Sequence, residues 1–78
     1  MAAAVTRDAQ GTLAATGDWT LREANTLHAA VARLPRGGAV RLDARGIARI
    51  DTAGCLLLLA ALRRSALGRE ALADAGLR

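Results

Sequence analysis

Aromatic side chains are almost absent from this chain of 78 residues, which contains one Trp and neither Phe nor Tyr. Alanine supplies much of the apolar composition but buries little area. The core must therefore be built from Leu, Ile and Val, whose burial contributes about 25 cal/mol per Å². A domain of this size buries only about 60 to 70% of the surface that its unfolded chain exposes. We expect one small domain that is marginally stable or is completed by a partner.

Lysine is absent too, and all 11 basic side chains are arginine. Together with abundant Ala, Leu and Gly, this usage is typical of GC-rich coding and indicates a bacterial source. The arginines are scattered along the sequence, are interrupted by acids and have no aromatic stacking surface beside them. Nucleic-acid binding needs such a surface or a basic stripe. The net charge of +4 is therefore interpreted as ordinary solvated charge, with no nucleic-acid partner.

The single cysteine, Cys55, has no partner for an intramolecular disulfide and is interpreted as a small buried hydrophobic side chain. The longest apolar run, residues 53–62, is shorter than the roughly 20 residues of a transmembrane helix. The sequence has no charged segment followed by an apolar one, which is the pattern of a secretion signal. These absences predict a cytoplasmic protein.

Catalytic and metal-binding groupings are missing as well. A catalytic site needs a nucleophile with a base, paired carboxylates or a metal cluster. Asp51 and Thr52 have no candidate base near them in the sequence, and His28 has no second ligand at metal-binding spacing. The chain also has no glycine-rich phosphate-binding loop. We expect no enzymatic activity, no cofactor and no metal site.

The first part of the chain has a pattern that predicts a β-hairpin. Two short strand-like segments, 3–7 and 12–16, flank the turn-forming residues 8–11. The segment 17–20, Gly-Asp-Trp-Thr, then breaks the second strand and introduces a helix. Its Trp is interpreted as a core residue or a hydrophobic staple at the helix start, although an exposed Trp there would anchor a partner.

The first helix is predicted over residues 21–34. Thr20 is the candidate N-cap, and Glu23 three residues later completes a capping box. Pro35 and the glycines after it end the helix. Apolar residues at three- and four-residue spacing form one stripe toward the core: Leu21, Ala24, Leu27, Val31 and Leu34.

Residues 39–43 alternate apolar and polar side chains, as a half-buried strand does. The second helix is predicted from Thr52 or Ala53 to Ser65. It is apolar around most of its circumference, which indicates that it is covered on more than one side. The leucine run 56–59 must bury at least one face, and the remainder is a candidate docking surface.

The tail fits two structures. Helix propensity favours a short helix over 68–76 with Gly76 at its C′ position. The order of the preceding elements favours a fourth strand over 70–73, which returns beside an earlier strand through a right-handed crossover. We expect the strand, and hence a mixed sheet of about four strands in the order β-β-α-β-α-β.

The tetrapeptide 51–54, Asp-Thr-Ala-Gly, lies where a strand and loop lead into the second helix; it is called the 51–54 motif below. Asp and Thr are favourable N-cap residues, because a side-chain oxygen accepts a hydrogen bond from a free N–H group of the first turn. The positive end of the helix dipole also favours an acidic partner there. Gly54 is interpreted as structural, permitting close packing.

This order of elements resembles the STAS domain family, which includes anti-sigma factor antagonists, cytoplasmic tails of sulfate transporters and the small subunit of Mla-type phospholipid ABC transporters. The matching stretches are residues 17–20, residues 40–43 as the central strand, and residues 50–54 followed by the leucine run. The Trp after Gly-Asp and the Asp-Thr-Ala-Gly form look most like MlaB-like proteins and the STAS segment ahead of MlaE-type permeases.

The resemblance implies a single STAS-like α/β domain over residues 1–78 that is incomplete at its C-terminus. Members of the family normally continue into further helices that cover the sheet, and this chain lacks the final helix. Ala53 occupies the position of the serine that is phosphorylated in anti-sigma factor antagonists. Thr52 offers a hydroxyl one position earlier, and in Mla-type relatives this threonine contacts the ATPase subunit.

The resemblance therefore implies a non-enzymatic adaptor of a lipid ABC transporter. Its partners would be the ATPase and permease subunits, and it would lie in the cytoplasm, peripheral to the inner membrane through that complex. The expected partner-binding residues are Asp51, Thr52, Ala53, Gly54 and Leu56.

Two alternatives to the transporter adaptor remain at this point. In the first, the chain is an anti-sigma factor antagonist that is bound by a serine kinase, with Thr52 as the candidate phosphoacceptor. A phosphate there would add about −1.5 to −2 charges at a partner-facing site. In the second alternative, the chain folds poorly on its own.

Overall fold

The computed structural model describes residues 2–68 and residue 71. Three strands, β1 (Ala4–Arg7), β2 (Thr12–Trp19) and β3 (Arg41–Ile50), form one sheet in the order β1-β2-β3. β2 pairs antiparallel with β1 and parallel with β3. The mixed sheet with helices packed on it confirms the α/β fold class that the sequence predicts.

Two helical segments connect and follow these strands. A 3-10 turn (Leu21–Glu23) leads into α1 (Ala24–Ala32), and α2 (Thr52–Arg64) follows β3 directly. α1 is therefore shorter than the predicted helix over 21–34, whereas α2 matches its prediction to within a residue at its end. The order of the described elements is β-β-α-β-α.

Two strands extend further than the sequence indicated. β2 continues through Gly17 to Trp19, so residues 17–20 do not break it. β3 continues to Ile50, where a loop was expected. The pairing of β2 with β3 shifts register beside Gly17, whose φ is 83°. Such irregularities interrupt the alternation of side chains by which a strand is predicted.

The segment 40–43 is not the central strand within the described sheet. There β3 pairs with β2 alone, and β2 occupies the middle. The fourth strand predicted over 70–73 is not seen either. Ala71 is the described residue of that range, and it is helical, with its N–H donating to the Gly68 carbonyl at 3.1 Å. The rest of that range and the alternative helix to Gly76 lie outside the described residues.

The capping box predicted at Thr20 does not form. Its side chain makes no capping hydrogen bond, and Glu23 Oε1 accepts instead from the backbone N–H of Ala3 at 3.4 Å. Leu21 is consequently not part of the core stripe: its side chain is 72% exposed. The tighter 3-10 turn rotates it away from the face that α1 buries.

The core lies between one face of the sheet and the two helices. The leucine run behaves as predicted, because Leu58 is fully buried while Leu57 and Leu59 pack partly against the core. Leu56 points outward, with 63% of its surface exposed. The largest fully buried side chains are Trp19, Leu13, Leu27, Leu58 and Leu62.

The start of α2 packs directly on the end of β2 through Gly54. A Cβ atom added to this glycine would lie 1.6 Å from the carbonyl oxygen of Trp19. No side chain fits at that distance, and the atom in the way is backbone. The structural interpretation of Gly54 is confirmed, and this contact fixes where the 51–54 motif sits.

We expect Gly54→Ala to destabilise the chain by about 2 kcal/mol or more, because the methyl group forces α2 away from β2. Helix propensity alone predicts the opposite sign, a gain of about 1 kcal/mol. Urea unfolding followed by the fluorescence of Trp19 measures the difference. Ala60→Gly, at an exposed position of the same helix, serves as the control and loses about 1 kcal/mol by propensity. A Gly54→Ala variant as stable as the wild-type chain would contradict the contact.

Candidate functional site

The 51–54 motif lies where the end of β2, the 3-10 turn and the start of α2 meet. Asp51 is the N-cap residue of α2, in an extended backbone conformation. Its backbone N–H donates to the carbonyl of Trp19 at 3.1 Å, and its own carbonyl accepts from Cys55 at 2.8 Å. The backbone of the motif is therefore tied both to the sheet and to the first turn of the helix.

The carboxylate of Asp51 joins two helical segments. Oδ1 accepts from the N–H of Gly54 at 2.9 Å, which caps α2 as predicted. Oδ2 accepts from the N–H of Leu21 at 3.0 Å, at the start of the 3-10 turn. The side-chain oxygen at the start of the 3-10 turn thus comes from Asp51, while Thr20 makes no capping hydrogen bond. Local sequence rules miss this second bond because its partners are 30 residues apart.

These hydrogen bonds stabilise the ionised form of Asp51. They lower its pKa below the ordinary aspartate value, with the N–H of Gly54 contributing most and that of Leu21 next. Elsewhere on the sheet, the hydrogen bonds and charge of Arg45 lower the pKa of Asp43 to about 2. The carboxylate of Asp51 is therefore held by the fold as an anion at neutral pH.

Thr52 is the first residue of α2 and is exposed. Its hydroxyl makes no hydrogen bond within the part of the chain that the structure describes, so it is not the cap. Leu56 follows four residues later, on the same side of the helix. Ala53 is half-buried and Gly54 is buried. Of the five predicted partner-binding residues, Thr52 and Leu56 thus present side chains outward, while Asp51 holds the helix start.

Two further apolar side chains lie beside Thr52 and were missed in the sequence. Leu21 is brought to the motif by its hydrogen bond to Asp51, and Ile50, 40% exposed, immediately precedes Asp51. Nothing local marks Leu21, because it fits the apolar stripe of the predicted helix. We call the exposed surface formed by Leu21, Ile50, Thr52 and Leu56 the docking face.

Two other singled-out residues can now be placed. Trp19 is fully buried, and its indole N–H donates to the carbonyl of Thr16 at 2.9 Å, which confirms it as a core residue. Cys55 is exposed, so the interpretation as a buried hydrophobic side chain is wrong. It lies in the first turn of α2, next to the buried Gly54.

Metal-binding side chains do not cluster in residues 2–68: no group of three or more His, Cys, Asp or Glu residues comes together there. His28 lies exposed on α1. Among the described helices, none is long and apolar enough to cross a bilayer.

Acidification tests the role of the Asp51 carboxylate. A lowered folded-state pKa contributes stability that is present above the ordinary value near 3.9 and is lost as pH falls through the folded value. We expect Asp51→Asn to lower the urea midpoint at pH 7, and the difference from wild type to narrow as the pH falls below the ordinary aspartate pKa. Thr52→Val is the control, since it changes the next residue of the same helix start without removing a titratable group, and its difference from wild type should not depend on pH. A difference that stays constant with pH for Asp51→Asn would contradict this role.

Comparison with known proteins agrees with this geometry. The family described as Mlab, STAS domain, matches residues 2–76, nearly the whole chain. No curated protein matches the sequence. STAS domains are generally non-enzymatic binding or regulatory modules. Because this match covers nearly the whole chain and the α/β architecture agrees with it, the chain belongs to the MlaB-like STAS domain family.

Proposed function

We propose that this chain is a non-enzymatic adaptor of an Mla-like phospholipid ABC transporter and that its docking face binds the ATPase subunit. The observation that carries the proposal is the division of roles within the 51–54 motif. Asp51 and Gly54 hold α2 against β2, whereas the exposed hydroxyl of Thr52 makes no hydrogen bond to any other described residue. A rigidly held helix start with an exposed polar group suits a fixed docking surface.

The apolar side chains around Thr52 support a protein partner. Leu21 is 72% exposed and Leu56 is 63% exposed, although both are large aliphatic residues. Such side chains form an interface core when a partner removes them from water, and each contributes through the area it buries. The ATPase would supply an apolar recess for them and a hydrogen-bond partner for the Thr52 hydroxyl.

Ala53 favours an adaptor that binds constitutively rather than one that is controlled by phosphorylation. It has no hydroxyl, it is half-buried, and the next residue is buried against the carbonyl of Trp19. The permease subunit is then reached through the ATPase, which would place this chain in the cytoplasm, peripheral to the membrane.

Thr52→Arg tests the docking face directly. The arginine puts a long charged side chain at the centre of the surface, so we expect binding to the ATPase subunit to weaken at least about ten-fold. Co-purification and titration of the two purified proteins measure it. Thr6→Arg is the matched control, because Thr6 is also exposed but lies opposite Ala14, toward the other end of β2.

The fluorescence of the buried Trp19 side chain and a thermal melt check that both variants are folded. Undiminished binding by a folded Thr52→Arg variant would overturn the proposed surface. Equal weakening in Thr6→Arg would show that added charge, and not position, is responsible.

The exposed hydroxyl of Thr52 favours one second function, an anti-sigma factor antagonist controlled by a serine kinase. The mass of the intact chain after incubation with such a kinase and ATP tests it. Ala53→Ser restores the hydroxyl at the family's phosphorylated position and shows that the kinase is active, and Thr52→Ala identifies the acceptor. We expect a phosphate on Ala53→Ser alone. A phosphate on the wild-type chain that Thr52→Ala abolishes would favour the antagonist instead.

A further inference from the structure

Arginines that are distant in sequence meet at the end of the molecule opposite the 51–54 motif. β2 and β3 begin at this end, and β1, α1 and α2 finish there. We call it the basic end; its arginines are Arg7, Arg33, Arg36, Arg41, Arg63 and Arg64.

Hydrogen bonds to the loop after α1 bring these residues together. The guanidinium of Arg7 donates to the carbonyl of Gly37, and Arg64 Nε donates to the carbonyl of Leu34 at 2.6 Å. The N–H of Gly37 in turn donates to the carbonyl of Arg64 at 2.8 Å. Strand β1, helix α2 and the loop are therefore joined at one place, and Arg33 and Arg36 lie on that same loop.

Within residues 2–68, the acids near this end balance only part of its positive charge. The carboxylate of Asp8 accepts hydrogen bonds from two backbone N–H groups of its own turn. Asp43, two residues along β3 from Arg41, is paired with Arg45. Within residues 2–68 the exposed arginines of the basic end form no ion pair: Arg33, Arg36, Arg41 and Arg63.

An apolar side chain projects from the same surface. Val40 is 70% exposed and immediately precedes Arg41, and Pro35 is exposed between Arg33 and Arg36. Guanidinium groups bind phosphate with paired hydrogen bonds, and an apolar side chain among them enters the headgroup region of a bilayer. Single-stranded nucleic acid would need an aromatic stacking surface, but the one aromatic side chain, Trp19, is fully buried.

We propose that the basic end binds the surface of an anionic phospholipid bilayer, with the exposed arginines on headgroup phosphates and Val40 in the interfacial region. This contact is direct and does not depend on the docking face, which lies at the other end of β2 and α2. A chain with both surfaces would touch a protein partner at one end and the membrane at the other.

Vesicle flotation with the full chain tests this proposal. Vesicles of phosphatidylcholine alone are compared with vesicles that also contain phosphatidylglycerol. We expect binding only to the anionic vesicles, and weaker binding at high salt. The double variant Arg33→Glu, Arg36→Glu changes the charge by four units, and each unit near an anionic surface is worth about five-fold in affinity. Its affinity for the vesicles should therefore fall more than about 100-fold.

The control is the double variant Arg22→Glu, Arg49→Glu, which makes the same change in net charge at exposed positions nearer the 51–54 motif. It should retain most of the binding. Val40→Ser should weaken vesicle binding several-fold without changing the salt dependence. Trp19 fluorescence confirms that each variant is folded.

Several outcomes overturn the proposal. No binding to anionic vesicles, or equal losses in the two double variants, would leave only a general effect of net charge. Free glycerol phosphate or a short acidic peptide that competes fully with the vesicles would show a site for a soluble anion. Binding to single-stranded RNA that exceeds vesicle binding and ignores Val40→Ser would show a nucleic-acid surface.

Discussion

The close contact between the first turn of α2 and the end of β2 is the constraint on which the rest of this structure depends. Gly54 lies so near the carbonyl of Trp19 that no side chain fits between them. The carboxylate of Asp51 completes the junction, because its two oxygens receive the N–H groups of Gly54 and Leu21. This junction thereby holds a helix, a strand and a 3-10 turn together, in a chain that has few large side chains to pack between them.

This junction also decides which side chains remain for binding. Asp51 and Gly54 both hold α2 in place, with Asp51 exposed and Gly54 buried. Thr52 and Leu56 are left exposed on one side of that helix. The docking face is therefore largely apolar, and the junction holds it rigidly. The basic end is separate from it, since α2 runs from one surface to the other.

Several features could be predicted from local sequence because the interactions behind them are local. The N-cap at Asp51 and the burial of Leu58 depend on residues within one or two turns. Predictions failed where a distant group intervened. Thr20 does not cap the helical segment, and Asp51 accepts the hydrogen bond from Leu21 at its start. Leu21 lies outside the core because a 3-10 turn takes the place of the first turn of the predicted helix. Cys55 is exposed in the first turn of α2, although its apolar neighbours in the sequence suggested burial.

By itself the sequence determined the class of the fold, the start of α2 and the missing hydroxyl at Ala53, since periodicity, capping chemistry and side-chain identity are written along the chain. Only the tertiary structure decided that Asp51 joins two segments and that Leu21 is exposed beside the 51–54 motif. It likewise turned arginines that look scattered into one basic end, because Arg7 and Arg64 bind carbonyls of the loop after α1. The physical reason is the same in each case: these contacts join residues about thirty positions apart, and no local pattern encodes such a pairing.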